Sequence, residues 1–534
     1  MVAAVVDVVA AARQVDTELR VDGRAVAAAP AAAQAEVDSA VVDAWGPWLP
    51  GFVREALTSP SNRRGLGVHH TPPSVVEEIL DLVDATGDID WSTVTVLDPS
   101  VGGGAFLLAA AARMHGDRAG VVRRLAGVDV DPLAVGTTVT ALSLWAGEPV
   151  DPSRVLVGDF LDPSIDAPRT DVVVGNPPFL SQLRGGTGRT ADERARLAAR
   201  WPGVGRYVDD AVAFLLASVE HVGPDGTVAL VQPSSMLGAL DARAARRHLA
   251  EVSSLTGLWV DRSRRFEASV DTVAVVMGRS PSGLVRVGTE LVDPPSDTSW
   301  APLLAASTGT PAVSVDASRL LGEIAVVTAG FRDQFYGLRG AVFDDPDGAH
   351  PLITSGSVDP LALGWGERTT RFDKASYRHP CVDVRRVAAN VRPWVEARLV
   401  PKVLVASQTK VIEAVVDERG VMVPGTPVVS VEPHEAADLW RLAALLTSPV
   451  ATALIGHAAA GTALSSDAVR VSARLLAALP LPVDEVMWSR AADRARAGEV
   501  TQCGRLMLRA HGLGDRSDIL DWWVDRIPTR SLGN

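Results

Sequence analysis

The chain has 534 residues, of which 47% are hydrophobic and 22% carry a charge, and its formal net charge is −13. This length exceeds what one apolar core usually serves, so two or three domains are expected. The acidic balance excludes a protein that coats nucleic acid over its whole surface, and two cysteines exclude a disulfide framework and a cysteine-rich zinc site.

The N-terminal region is rich in alanine with scattered acids, which predicts a helical extension for residues 1–65 and indicates no chemistry there. Its apolar start, Met1–Val9, lacks a basic segment, is interrupted by Asp7 and is too short to span a bilayer. No other apolar run is long enough either. We therefore expect a cytoplasmic protein that does not contact a membrane.

A short motif, His70-Thr71-Pro72, precedes the helical pattern of residues 73–80. Thr71 or Ser74 is suited to cap the helix that begins at the prolines. The functional alternative is a loop that lies over the polar end of a ligand.

The first predicted strand, Thr93–Leu97, runs directly into the loop Asp98–Phe106, and a helix rich in Ala and Leu follows. Strand, glycine turn and helix form a nucleotide-type βα unit, in which Gly102 and Gly104 let the backbone approach a ligand closely. The turn is not a phosphate loop, because it lacks the Gly-Lys-Ser/Thr ending and the Gly-x-Gly-x-x-Gly spacing.

Two further strands end in acidic residues. Asp129 closes the strand that begins at Ala126, and an acid at this place in a Rossmann-type sheet is suited to accept hydrogen bonds from both ribose hydroxyls. A solvated Asp at a strand end is the plainer alternative. The third strand, Arg154–Val157, leads to Asp159 and Phe160, which offer an acceptor for an adenine amino group and a ring to pack on the base.

The fourth strand, Asp171–Val174, leads through Gly175 into the loop Asn176-Pro177-Pro178-Phe179. The two prolines fix the backbone and cannot donate, so the asparagine amide and the prolyl carbonyls form a stiff set of acceptors beside an aromatic ring. Such acceptors suit a planar aromatic amine, because accepting both N–H hydrogens localises the nitrogen lone pair for attack. The alternative is a proline-rich turn that carries no chemistry.

Four successive strands thus end in polar or glycine-containing loops, and the carboxyl ends of parallel strands form the ligand crevice of an open sheet. Beyond them, Asp209–Val222 is predicted as an amphipathic helix, and the remaining strands are Thr227–Val231, Leu258–Val260 and Thr272–Met277. The fold class is α/β, with a Rossmann-like domain.

The composition changes in the second half of the chain. Residues 281–305 are rich in Pro, Ser, Gly and Asp and are predicted to be a linker. Residues 368–410 contain ten Arg or Lys against three acids, with Phe372, Tyr377 and Trp394 interleaved. A local positive excess with aromatics is typical of nucleic-acid binding, and a solvated charged face is the alternative.

In order and spacing these motifs resemble the amino-methylating DNA methyltransferases whose cofactor motifs precede an Asn-Pro-Pro-aromatic loop, most nearly the adenine-N6 enzymes of the TaqI type. The matching segments are His70–Pro72, Asp98–Phe106, Asp129, Asp159-Phe160 and Asn176–Phe179. The likeness extends over roughly residues 65–485. One departure is the phenylalanine of the last motif, because tyrosine is commoner at that place in the family, but ring stacking does not need the hydroxyl.

The resemblance implies a methyltransferase domain at residues 66–280 that uses S-adenosylmethionine and no metal. The residues expected to hold S-adenosylmethionine are Thr71, Asp98, Gly102, Gly104, Phe106, Asp129, Asp159 and Phe160. The expected catalytic set is Asn176, Pro177, Pro178 and Phe179. The ring of Phe179 would stack on the target base. Phe266 would stack on the opposite side of the flipped base, and the alternative is a phenylalanine that folds back under the sheet as a core residue.

The likeness continues into an α+β DNA-recognition domain predicted for residues 306–485, and a helical tail is predicted for residues 486–534. Three weaker segments carry it: Gly330–Arg332, Pro351–Gly356 and Val400–Lys410. The residues expected to contact DNA phosphates are Arg392, Lys402 and Lys410.

The sequence leaves several functions open. The leading one is site-specific methylation of adenine N6 in double-stranded DNA, with base flipping, in a restriction-modification or phage-defence setting with a separately encoded endonuclease or defence subunits as partners. Cytosine N4 is an alternative target, because the same loop can grip its amine. Methylation of RNA or of a protein glutamine is a further alternative, and a DNA-recognition subunit with a decayed methylase domain is the last.

Overall fold

The computed structural model describes residues 46–57, 71–179, 190–204, 209–261, 265, 271–295, 299–462 and 468–528, together with two short strands at 20–21 and 24–25. The chain forms two compact units, Met1–Leu303 and Leu304–Asn534. The division lies inside the segment predicted as a linker.

The first unit is built on a nine-stranded mixed sheet. Its strands are β1 Val96–Asp98, β2 Leu125–Asp129, β3 Val155–Val157, β4 Val172–Gly175, β5 Thr227–Pro233, β6 Ser254–Val260, β7 Thr272–Gly278, β8 Val285–Val287 and β9 Glu290–Val292. Their order is β9-β8-β6-β7-β5-β4-β1-β2-β3. The strands β1 to β5 are mutually parallel, whereas β7 runs antiparallel to both of its neighbours, β5 and β6.

Helices precede, connect and follow these strands, and the last of them crosses the boundary between the two units. They are α1 Leu49–Leu57, α2 Pro73–Thr86, α3 Ala105–Arg113, α4 Arg118–Arg123, α5 Pro132–Ala146, α6 Ala191–Arg200, α7 Asp210–Val222, α8 Ser235–Gly238, α9 Arg243–Val252 and α10 Ala301–Ser307. Strand residues such as Val172 and Val174 are fully buried, and they pack in one apolar cluster with Ile79 of α2 and Leu107 of α3. Runs of valine that are buried along their whole length are typical of a covered parallel sheet, so the predicted α/β, Rossmann-like class is confirmed.

The chain changes direction in the sheet at β1. From β1 it proceeds outward on one side to β2 and β3, and from β4 it proceeds on the other side to β5. In an open sheet of this kind, the carboxyl ends of the two strands that flank the change of direction border a crevice. Those two strands are β1 and β4, and each is followed by a loop that the sequence singles out.

The sheet extends further than predicted. Strands β8 and β9 lie in the segment 281–305 that reads as a linker, and β8 pairs in parallel with β6. Val285 is fully buried, which explains the pairing, because this short strand covers apolar surface at the sheet edge. The linker prediction is therefore wrong for residues 285–292.

The predicted helical extension at residues 1–65 lies mostly outside the described residues. Within it the structure shows a two-residue pair, Arg20–Val21 with Arg24–Ala25, a 3₁₀ turn Gly46–Trp48 and helix α1. The described part therefore contains both strand and helix.

The second unit contains an antiparallel sheet of four strands and several two-stranded pairs. Its strands are β10 Ala325–Ala329, β11 Val342–Asp344, β12 Leu352–Ile353, β13 Val358–Asp359, β14 Ala362–Leu363, β15 Thr370–Phe372, β16 Ala375–Tyr377, β17 Pro380–Val382, β18 Lys402–Val405, β19 Gln408–Thr409, β20 Ala414–Asp417, β21 Val423–Pro424, β22 Val429–Pro433 and β23 Val469–Arg470. The four-stranded order is β10-β22-β18-β20.

The helices of this unit are α11 Arg332–Leu338, α12 Arg392–Glu396, α13 Leu439–Leu446, α14 Pro449–Ala459, α15 Ala473–Ala477, α16 Glu485–Arg496, α17 Val500–Ala510 and α18 Ser517–Val524. Trp488 of α16 and Met507 of α17 are buried in the same apolar cluster as Val403 of β18. The segment predicted as a helical tail therefore shares its core with the four-stranded sheet.

Among the described residues, no single helix is long and apolar enough to cross a membrane. One pair bent by 64°, Ala436–Leu446 with Pro449–Ala459, has the required length and composition only when both helices are taken together. Leu442, Leu446 and Val450 of this pair are fully buried in the protein.

Candidate functional site

The candidate site lies where β1, β2, β3 and β4 end. The strands β1 and β2 end at Asp98 and Asp129, and the loops after β3 and β4 begin at Gly158 and Asn176. Backbone hydrogen bonds join neighbouring loops, since Gly158 donates its N–H to the Asp129 carbonyl at 2.8 Å. The structure thus places the strand-end motifs along one edge of the sheet, as the sequence predicts.

The glycine loop after β1 is tied to the end of β2. The Gly102 N–H donates to Asp129 Oδ2 at 2.9 Å, and Val101 donates to the Val128 carbonyl at 3.0 Å. Gly102 and Gly104 have φ angles of 53° and 83°, which side chains rarely tolerate. These two glycines allow the loop to turn sharply into α3, and a Cβ at Gly102 would find only the Ser100 carbonyl oxygen within 4 Å, at 3.9 Å.

Asp98 is the most deeply buried acid of the site, with 1% of its surface exposed. Its Oδ1 accepts a hydrogen bond from the Ser100 N–H at 2.9 Å. A Cβ at Gly175 would lie 2.6 Å from the same oxygen, so the glycine that ends β4 makes room for this carboxyl. Burial raises the pKa of Asp98 to about 8, and the charge of Asp129 adds to the rise.

Asp129 accepts one backbone hydrogen bond on each carboxylate oxygen, from Gly102 and from Asp131, both at 2.9 Å. Burial raises its pKa, although these two hydrogen bonds oppose the rise. A carboxylate has about four acceptor positions. The two bonds fix the orientation of the side chain and do not exhaust its capacity to accept from a ligand.

The N-terminal helix α1 braces this loop, which the sequence did not indicate. A Cβ on Gly103 would lie 2.8 Å from the Gly51 Cα, so the two backbones approach too closely for a side chain at position 103. Arg54 forms an ion pair with Asp131 at 2.7 Å. The available signal was a glycine inside a short helix, which local patterns do not distinguish from an ordinary helix glycine.

The Asn176 loop is held by a residue distant in the sequence. Asn176 Nδ2 donates to the Thr71 hydroxyl at 3.0 Å, across a separation of 105 residues. Pro177 is buried and Asn176 is half-buried. Phe179 is also half-buried, and its ring packs against the apolar core of the first unit.

The third strand end faces helix α7. Asp159 Oδ1 accepts from the Leu161 N–H at 3.0 Å, which shapes the turn. The Phe160 ring stacks on Phe214 at 6.2 Å between centroids and meets the edge of His221 at 5.5 Å. Phe160 also lines a cavity of about 530 Å³ bordered by α6 and α7.

A second unpredicted cluster anchors the chain between β6 and β7. The Nη1 and Nη2 atoms of Arg265 each donate to the Glu78 carboxylate at 2.6 Å, and the Trp259 indole donates to it at 2.9 Å. The hydrogen bonds from Arg265 lower the pKa of Glu78. Phe266 is the next residue, and it lies outside the described residues, as does His70.

Phe106 is corrected by the structure. Its side chain is 2% exposed and its ring packs within the apolar core of the first unit, so it supports the glycine loop from behind as a core residue. The position is apolar because α3 must cover the sheet directly behind the glycine loop.

Lys402 is also corrected. Its side chain is fully buried, and its ammonium forms an ion pair of 2.6 Å with Asp417, which is itself 1% exposed. Burial lowers the pKa of Lys402, and the hydrogen bond to Asp417 opposes this shift. A lysine enclosed in this way cannot reach a DNA phosphate, so the predicted contact is wrong for this residue.

The other two predicted DNA contacts differ from each other. Arg392 is half-buried and donates to the carbonyls of Arg385 and Val387, at 2.7 and 3.2 Å. Lys410 is exposed. The cations of the 368–410 stretch that the structure exposes are Arg371, Lys374, Arg378, Arg385, Arg386 and Lys410.

Comparison with known proteins gives a consistent result. Residues 56–257 match the family model of N-6 DNA methylases, and this segment contains all the strand-end motifs. No curated protein matches the sequence.

Solved structures that resemble this chain over most of its length include the following two. The type IIL restriction-modification enzyme MmeI in complex with DNA has a TM-score of 0.56 at 12% identity, covering 91% of this chain and 80% of that one. The DrdV–DNA complex has a TM-score of 0.53 at 12% identity, covering 89% of this chain and 61% of that one. At this identity the likeness concerns the fold of the chain.

Proposed function

We propose that the first unit transfers a methyl group from S-adenosylmethionine to adenine N6 in DNA. The observation that carries the proposal is that the Asn176 loop and the glycine loop follow neighbouring parallel strands where the sheet changes direction, so close together that a Cβ at Gly175 would lie 2.6 Å from Asp98 Oδ1. An amine-gripping loop and a nucleoside-type site are thereby neighbours. The match of residues 56–257 to N-6 DNA methylases supports the same chemistry.

The residues at the crevice fit this cofactor. Asp129 has acceptor capacity for ribose hydroxyls, and its orientation is already set by two backbone hydrogen bonds. A Cβ at Gly102 would meet almost nothing but open space, which is consistent with room for a ligand beside the loop. In this proposal Asp159, which follows β3, would accept a hydrogen bond from the adenine amino group of the cofactor, and the carboxyl of Asp98 would interact with a cationic group of the cofactor. When bound, the cofactor supplies an electrophilic methyl group.

The Asn176 loop prepares the amine for attack. The Asn176 carbonyl oxygen and the Pro177 carbonyl accept the two N–H hydrogens of the target amine, while Pro178 keeps the loop rigid. Such groups are effective because they are already oriented where charge develops, and losing one costs about 10²–10³ in rate. The amine lies inside duplex DNA, so the base must be flipped into the crevice.

The second unit supplies DNA contacts in this proposal. The hairpin of β15 and β16 carries Arg371 and Lys374, both exposed, and its turn has left-handed residues at Asp373 and Lys374. Exposed cations release counterions when they meet phosphates, whereas buried ones cannot. Arg385, Arg386 and Lys410 are exposed as well, so these residues replace Lys402 as proposed phosphate contacts, and Arg392 has a smaller role.

The test is the methylome of a methylation-free host that expresses the chain. Long-read sequencing that finds N6-methyladenine at one sequence motif supports the proposal and identifies the site. N4-methylcytosine at a motif would move the target to cytosine, and an unmodified genome together with no S-adenosylmethionine binding by calorimetry would leave a DNA-recognition subunit. A restriction endonuclease or defence subunit encoded separately is proposed as the partner, and co-purification from the native host tests it.

A further inference from the structure

The contact between Thr71 and Asn176 has a further consequence for the proposed reaction. We infer that the Thr71 hydroxyl orients the Asn176 amide, and that a carboxylate of the bound cofactor fixes this orientation by accepting a hydrogen bond from that hydroxyl. The inference rests on the proposed function, because the orientation matters only if Asn176 accepts from an amine.

The Thr71 hydroxyl is enclosed and has a defined partner. Thr71 is 4% exposed, and its oxygen accepts from Asn176 Nδ2 at 3.0 Å. Thr71 does not cap helix α2, since Pro72 occupies the cap position and no side chain bonds to the first turn. Helix capping, which the sequence suggested, therefore does not explain the residue.

The orientation of a primary amide decides whether the loop can accept. One end of the asparagine amide is a carbonyl oxygen and the other is an NH₂ group, which only donates. Because Nδ2 is held by Thr71, the carbonyl oxygen Oδ1 is turned to the other side. An amide rotated by 180° would present a donor to an amine whose hydrogens must be accepted, and the loop would not activate it.

A hydroxyl alone does not impose this choice, because it can either accept from Nδ2 or donate its proton to Oδ1. Among the described residues, the structure shows the Thr71 hydroxyl accepting and shows no acceptor for its proton. An anionic acceptor on the cofactor would accept a hydrogen bond from the Thr71 hydroxyl and leave the hydroxyl oxygen able only to accept from the amide. Cofactor binding would then select the active orientation of the Asn176 amide.

The chain permits a direct measurement, because it contains four asparagines: Asn62, Asn176, Asn390 and Asn534. Labelling with ¹⁵N-asparagine gives few side-chain amide signals, and Asn176→Ala identifies the relevant one by its loss. We expect the Asn176 NH₂ signal to shift when S-adenosylhomocysteine, which keeps the carboxylate, is added. In Thr71→Val the signal should differ from wild type and become insensitive to ligand, and Thr71→Ser should restore both properties.

The kinetic expectation separates positioning from cofactor binding. Thr71→Val should lower kcat by about 10- to 100-fold, less than direct loss of the acceptor at about 10²–10³, and Thr71→Ser should recover most of it. In the Asn176→Ala background, Thr71→Val should cost little more, because there is no amide left to orient. The control is Thr140→Val, since the Thr140 hydroxyl is 5% exposed and bonds only to Gly136 of its own helix at 2.8 Å.

Two results would overturn the inference. One is an Asn176 signal in Thr71→Val that matches wild type with and without ligand, in a protein whose melting temperature is preserved. The other is a rise in KM for S-adenosylmethionine with kcat intact. Failure of the proposed function looks different, since the wild type itself would then transfer no methyl group, while the amide signal still reports on the Thr71 contact.

Discussion

The sequence singles out polar residues in two regions, the carboxyl ends of strands β1 to β4 and the basic stretch 368–410. The structure brings the first group together and separates the second. At the strand edge, the residues lie at the carboxyl ends of adjacent parallel strands. In the basic stretch, the cations disperse: Lys402 is buried with Asp417, and Arg398 pairs with Glu432 at 3.3 Å. The position of a motif at a strand end is fixed by the topology of the sheet. An excess of positive residues in a sequence segment does not fix where their side chains lie.

The largest expected effect is in the basic stretch and concerns stability. Lys402→Ala should lower the free energy of unfolding by about 3–5 kcal/mol, because it leaves the Asp417 charge buried without its partner. Denaturation followed by tryptophan fluorescence measures this. The matched control is Lys410→Ala at an exposed position, which should change stability by no more than about 0.5 kcal/mol.

A double variant tests whether the loss of stability comes from the unpaired charge of Asp417. Lys402→Met with Asp417→Asn removes both charges and keeps one acceptor oxygen for one of the two N–H groups, those of Val421 and Met422, which bond to Oδ1 and Oδ2 of Asp417 at 3.2 and 2.9 Å. It should recover most of the lost stability, since apolar replacement of a buried pair is often neutral. If Lys402→Ala instead weakened DNA binding without loss of stability, Lys402 would be a DNA contact, and the sequence would have predicted the basic stretch as well as it predicted the strand ends.

The second effect is at the strand edge and concerns rate. Asn176→Ala should reduce methyl transfer by about 10²–10³, or about 2.7–4 kcal/mol, because a preorganised acceptor is lost where charge develops. Affinity for S-adenosylmethionine, measured by calorimetry, should stay near that of wild type. Asn390→Ala, at an exposed position, is the control, and near-normal turnover in Asn176→Ala would remove the loop from the reaction.

The third effect concerns pH. The pKa of Asp98 is raised to about 8, so the free protein holds this proton at neutral pH, and a cationic ligand should release it. Affinity for S-adenosylmethionine should therefore rise with pH up to about 8, by at most about tenfold per pH unit, and level off above it. Calorimetry in buffers of different ionisation heat should detect proton release at pH 7.

Asp98→Asn tests the raised pKa of Asp98 independently, through the pH dependence of stability. The raised pKa means that the folded state binds more protons than the unfolded one between the ordinary Asp pKa and about 8, so wild-type stability falls as pH rises through that range. The Asn variant lacks this cost, so its advantage in melting temperature should grow with pH. An equal difference at acidic and alkaline pH would contradict the assignment.

The smallest expected effect is on DNA affinity and concerns the exposed cations. Each of Lys374→Ala and Lys410→Ala should reduce the slope of log affinity for DNA against log salt by roughly 0.9, because one phosphate contact is lost. Filter binding over a salt series measures the slope. A slope unchanged by both substitutions would place the DNA elsewhere on the protein.

The sequence by itself determined the features that depend on local patterns. Buried β-branched runs predicted the strands that end at Asp98, Asp129 and Gly175, and the loops that follow them are set by glycine and proline. In a parallel sheet these ends must lie on one edge, so the crevice followed from the order of the motifs. This reasoning needed no knowledge of distant contacts.

The tertiary structure alone decided which distant segments meet. The Thr71 hydroxyl reaches Asn176 across 105 residues, and Gly51 of α1 lies against Gly103. Lys402 reads as a surface cation until β18 and β20 enclose it with Asp417. Periodicity and charge report on neighbours along the chain, whereas burial and pairing arise when segments far apart in sequence pack against each other.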